Sequence, residues 1–75
     1  MRAEFTVEPF DAGRPGAHVL AAVDAVRACG LQPELGPFAT QIAGTPAQVS
    51  AAVGALTAAA LAGGATRISI TVEQG

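Results

Sequence analysis

The 75-residue chain has no lysine, tryptophan or tyrosine, one cysteine and three phenylalanines. Each shortage narrows what the protein can be. Four arginines face six acidic residues, for a formal net charge of −2. That leaves no basic stripe to neutralise phosphates, which argues against nucleic acid as a partner, and charge gives no reason to bind an anionic membrane. The single thiol, Cys29, allows no internal disulfide and fits a reducing cytoplasm. Cys29 and the one histidine, His18, fall short of the four ligands of a closed zinc site. Apolar residues are not scarce: 51% of the chain is hydrophobic, which excludes a disordered tail.

A membrane-spanning run is also missing. Residues 35–66 carry no charge, but Pro37 and Pro46 interrupt them, and glycines at 36, 44, 54, 63 and 64 punctuate them. The helical stretch 47–62 falls short of the ~20 strongly apolar residues that a span requires, so a buried, alanine-rich helix is expected there. Arg2, Glu4 and Glu8 leave no room for the apolar segment of a secretory signal, and the expected location is cytoplasmic.

Much of the apolar content is alanine and valine, which bury less area than leucine or phenylalanine. A core at this size rarely supplies more than ~3–5 kcal/mol, and the usual remedies are disulfides, a metal or association. With the first two unavailable, a homo-oligomer is expected.

Hydrophobic periodicity then sets out the elements. Residues 3–8 alternate, with Phe5 and Val7 on one side and Glu4, Thr6 and Glu8 on the other, and Pro9 ends the strand. Residues 11–16 read as a loop. From Ala17 the period becomes helical, with Val19, Leu20, Ala22, Val23 and Val26 on the inner stripe and Gly30 just past the end. Residues 31–35 form a weak strand that Pro33 confines to an edge, and 38–44 form the returning strand, with Gln41 outward and Thr40 inward. Thr45, Pro46 and Gln48 spell a capping box with proline at the first helical position. Val49, Val53, Leu56 and Ala60 make the inner stripe of that helix, and Gly63-Gly64 ends it. Residues 67–73 alternate again, with Ile68, Ile70 and Val72 inward.

The order β-α-β-β-α-β over one domain, 1–75, with right-handed crossovers, gives an α+β ferredoxin-like sandwich: a four-stranded antiparallel sheet with both helices on one face. The first and last strands should be neighbours, and the second should lie at the opposite edge. Glu4, Thr6 and Glu8 then share the helix-free face with Arg67, Ser69, Thr71 and Glu73.

The fold hosts many functions, so the residues have to decide. One cysteine cannot hold an iron–sulfur cluster, and no paired soft ligands suit copper. Thr6 and Gln41 cannot replace the stacking aromatics of an RNA-recognition domain. Arg14, between Gly13 and Gly16, only faintly echoes an acylphosphatase anion cradle. His18 and Cys29 sit too far apart on one helix to form a nucleophile–base pair. No enzyme activity, cofactor or metal is expected. Glu4 and Glu8 place two carboxylates on one face, which suits either a solvated surface or a cationic ligand.

Three segments resemble the YkoF-like thiamine-binding protein family: Glu4-Phe5-Thr6-Val7-Glu8-Pro9-Phe10, then Gly36-Pro37-Phe38-Ala39-Thr40 with Gly44 following, then Gly64-Ala65-Thr66-Arg67-Ile68. The likeness runs over roughly residues 3–72. It implies a small ferredoxin-like domain that binds thiamine or its hydroxymethylpyrimidine part without catalysis, and that assembles as a dimer or tetramer. Relatives often carry an acidic residue just before the glycine that closes the third strand, where this chain has Ala43. Under this reading Glu4, Thr6, Glu8, Thr40, Gln41 and Ser69 are the candidate ligand-binding residues. Glu4 or Glu8 would balance the thiazolium charge or accept from the pyrimidine amine, and Phe10 or Phe38 would offer a ring to stack on. The rival from another class is a structural or regulatory assembly module whose open faces pack together with no small molecule.

Overall fold

The computed structural model describes residues 1–9, 16–37 and 39–74. The chain runs β1 (Arg2–Glu8), α1 (Ala17–Ala28), β2 (Glu34–Leu35), β3 (Thr40–Ala43), α2 (Pro46–Ala62) and β4 (Arg67–Glu73). The strands form one sheet in the order β2-β3-β1-β4, antiparallel at every pairing. This is the expected ferredoxin-like α+β arrangement: β1 and β3 lie at the centre, β4 beside β1, and β2 at the far edge. The loop expected before α1, with Phe10 and Arg14, and the ring of Phe38 lie outside the described residues.

Alternation along β1 divides the molecule into layers. Ala3, Phe5 and Val7 are buried at 2–3% exposure, while the residues between them turn to the other face. Beneath Phe5 lie Val26 of α1 and Val49 and Leu56 of α2, all fully enclosed, with Ile42 joining from β3. The second helix starts where the capping box places it. Thr45 Oγ1 accepts from the Gln48 amide, and the Gln48 side chain accepts in return from the Thr45 amide.

Alanine does more packing than the valine–leucine stripes suggest. Ala22, Ala52 and Ala60 are fully buried, and Val53 is only partly so. Small side chains let the two helices approach closely. At Gly63 the approach is tight enough that a Cβ would lie 3.1 Å from the His18 Cα. Gly30 ends α1 with φ +85, a left-handed conformation that glycine adopts without a steric cost.

Three expectations need correcting. Leu20 belongs to the outer side of α1 and is 50% exposed, because Ala21, Ala22 and Val23 turn toward α2 and the sheet instead. Val72 is 48% exposed: it stands on the core side of β4, but near the end of an edge strand that the helices do not fully cover. The second strand shrinks from 31–35 to Glu34–Leu35, and the third starts at Thr40. Proline's fixed φ keeps Pro33 out of the ladder. Leu31 leaves the strand and is buried against the core instead.

Candidate functional site

The helix-free face is ordered by strand register. Residues that pair across antiparallel strands point to the same side, so the face is built in rows. Glu8 lies opposite Arg67, Thr6 opposite Ser69, and Glu4 between Gln41 and Thr71. Arg2 lies between Ala43 and Glu73, and Glu34 extends the Gln41 row on the far side.

The ionic contacts leave two acids of this face, Glu4 and Glu34, without an ion pair among the described residues. Arg2 donates to Glu73 at 3.1 Å, and Arg67 pairs with Glu8 at 3.5 Å. Both cations that the described residues bring to this face are therefore engaged. Glu4 accepts only from the neutral amide of Gln41, at 3.3 Å, and has no ion pair among the described residues. It stands beside a shallow polar depression of about 250 Å³ lined by Arg2, Glu4, Gln41, Thr71 and Glu73. A broader one of about 520 Å³ lies at the end of the sheet, where Arg2, Gln32, Glu34, Gln41 and Gln48 contribute to its walls. The two share Arg2 and Gln41.

Of the six residues named from sequence, Glu4 and Gln41 meet in one hydrogen bond. Thr6 and Ser69 face each other one row along, and Glu8 is a further row away, tied to Arg67. Thr40 does not share the face: it is 6% exposed on the core side, as its alternation with Gln41 required. Sequence reasoning passed over Arg2, Thr71 and Glu73 as site residues. The signal was present in the opposite charges that Arg2 and Glu73 carry at the meeting ends of the first and last strands.

Other chemistry-bearing groups stand apart. His18 Nε2 contacts the Pro9 carbonyl, and Cys29 is half-buried at the end of α1. Among the described residues no three His, Cys, Asp or Glu side chains gather to hold a metal, and no helix is long and apolar enough to cross a membrane.

The model of a family described as thiamine-binding protein matches residues 3–74. No curated protein matches. Among solved structures, a domain of unknown function, DUF77, from Bacillus cereus superposes with a TM-score of 0.58 at 20% identity. The match covers 96% of this chain and 70% of that one. At that identity the likeness speaks for the fold alone.

Proposed function

The chain belongs to the thiamine-binding protein family, and from that premise we propose that it binds thiamine, or its hydroxymethylpyrimidine part, on the helix-free face without transforming it. The observation that carries the reading is Glu4, a carboxylate whose neighbouring cations are already paired with other acids. Thiamine brings a permanent thiazolium charge and a pyrimidine amine. A carboxylate without an ionic partner suits either one, because charge-assisted hydrogen bonds are the stronger kind. Gln41 orients Glu4 and offers its own amide oxygen, and Thr6, Ser69 and Thr71 supply hydroxyls on the neighbouring rows.

A depression of about 250 Å³ on an open sheet is a wall more than a pocket. Small-molecule sites enclose most of their ligand, typically in ~300–1,000 Å³. We therefore assign the second wall to another copy of the chain, so that the ligand lies between subunits. Glu8 belongs to the rim in this arrangement, and Thr40 acts through the core. The reading places the protein in the cytoplasm, where a lone thiol stays reduced.

Calorimetric titration with thiamine and, separately, with hydroxymethylpyrimidine tests the proposal. Saturable binding is expected, and Glu4→Gln should weaken thiamine binding about tenfold, the equivalent of ~1.4 kcal/mol, with assembly unchanged. Absence of heat and of any thermal shift at millimolar ligand overturns the proposal. In that case the rival reading, an assembly module with no ligand, takes its place.

A further inference from the structure

Beside β2 the sheet has an unpaired position one residue long. The Gly44 amide donates to the Met1 carbonyl and the Met1 amino group donates to Gly44 O, both at 3.1 Å. Hydrogen-bonded and non-bonded pairs alternate along an antiparallel ladder, so this exchange fixes the parity of β3. Thr40 and Ile42 bond toward β1, while Gln41 and Ala43 aim their N–H and C=O groups toward β2. Gln41 meets Glu34 there. By the same register Ala43 would meet Gln32, but β2 begins only at Glu34. Among the described residues no backbone group pairs with Ala43 on that side. The cause is Pro33, which faces away from β3 with no N–H to give and whose fixed φ carries residue 32 out of the ladder.

This unpaired position opens into the hollow of about 520 Å³ at the end of the sheet, a volume within the ~300–1,000 Å³ of small-molecule sites. Leu31 and Ile42, both buried, give it an apolar floor. Gly44 lets its neighbours close in behind Ala43: a Cβ there would lie 2.8 Å from Leu31 Cδ2 and 2.8 Å from Gln48 Oε1. Gln48 spends that Oε1 on the Thr45 amide, so it has only its Nε2 hydrogens to offer. Glu34, without an ion pair among the described residues, lines the same hollow. The inventory is therefore a backbone donor and acceptor side by side, an apolar floor, carboxamides and one carboxylate.

We propose that this hollow binds a flat heterocycle by an amidine edge, a ring nitrogen beside an exocyclic amine. The ring nitrogen accepts from the Ala43 N–H and the amine donates to the Ala43 carbonyl, replacing the hydrogen bonds that a strand residue would make. The second amine hydrogen goes to the Glu34 carboxylate, a charge-assisted bond, and the ring lies on Leu31 and Ile42. An added peptide strand suits the hollow less well. Only one residue's N–H and C=O are open, between the paired Gln41 and the end of β3, which matches one ring edge. The inference rests on the ligand proposed above, whose pyrimidine carries such an edge. It assigns the two rings to different places, the pyrimidine to the hollow and the thiazolium to Glu4. Arg2 and Gln41 line both places, which therefore adjoin.

Nitrogen-15 NMR titration of the unsubstituted chain with hydroxymethylpyrimidine alone tests the assignment. Saturable shifts are expected at the backbone amides of Gly30, Leu31 and Ala43 and at the side-chain amides of Gln32 and Gln48. An analogue with hydrogen in place of the exocyclic amine should bind at least about tenfold more weakly, because it leaves the Ala43 carbonyl and Glu34 without a donor. Ala43→Pro removes the outward N–H and no ladder bond. It should weaken pyrimidine binding about tenfold while the far-ultraviolet circular dichroism stays native. If that variant unfolds, Gln32→Trp, which fills the hollow from an exposed position, should show the same loss. Shifts confined to Glu4, Gln41 and Thr71 overturn this inference and leave the proposed function standing, and equal affinity for the amine-free analogue does the same. A pyrimidine that binds nowhere overturns this inference alone if thiamine still binds, and the proposed function with it if thiamine does not.

Discussion

At one margin of the sheet β2 pairs for two residues; at the other, β4 pairs for seven. Both strands are half of a strand–helix unit, and both lie beside a central strand with a well-buried inner face. They differ in one imino acid and in charge. Pro33 cuts β2 short and removes the outward donor, and the residues around it leave a broad hollow of mixed polar and apolar lining between Gln32, Glu34 and Gln48. Across the sheet, β4 keeps every donor, alternates almost without fault and carries an arginine at one end and a glutamate at the other. The comparison shows how one proline can shorten a margin strand while a proline-free strand on the other side pairs along its whole length.

The largest expected effect tests what both margins stand on. Phe5 pairs with Thr40 on one side and Ile70 on the other, and its ring is among the largest fully buried groups. Phe5→Ala should cost about 3–5 kcal/mol. That is comparable to the whole stability of a domain this small, so the thermal unfolding transition is expected to vanish. A cooperative transition retained near the native temperature would contradict this account of the core.

Next in size is the exchange that would make the margins alike. Pro33→Thr gives β2 an outward N–H and a β-branched residue suited to a strand. The variant should associate more strongly than the unsubstituted chain as concentration rises, as sedimentation velocity would show. An unchanged sedimentation profile would mean that proline is not what closes this side. The smallest effect is a control that leaves both margins alone. Gly54 lies exposed within α2, with no atom placed to meet an added Cβ. Gly54→Ala should raise stability by ~0.5–1 kcal/mol, read as an increase in the denaturant midpoint with the sedimentation profile unchanged.

The candidate site was partly legible in the linear order of residues. Alternation in β1 separates Glu4 from Phe5, and the register of an antiparallel sheet then brings Gln41 and Thr71 to either side of it. What alternation could not reveal was the pairing of charges. Arg2 with Glu73 and Arg67 with Glu8 span 71 and 59 positions of sequence, and only their capture of one another leaves Glu4 without a cation. Leu20 shows the same limit in the core. By spacing it belongs to the helix stripe, yet the close approach of two alanine-lined helices turned the stripe toward Ala22 and left Leu20 outside.

Local chemistry was enough to define the elements: a capping box at Thr45, glycines past both helices, proline at position 33 and clean alternation in the first and last strands act within a few residues of themselves. The order of those elements, with right-handed crossovers, was enough for the topology. Tertiary structure alone decided which alanines are core, how far β2 extends, which acids of the open face are captured in ion pairs and which backbone groups face outward at the margin. These are properties of distance and register between segments far apart in the chain, and periodicity within one segment carries no information about them.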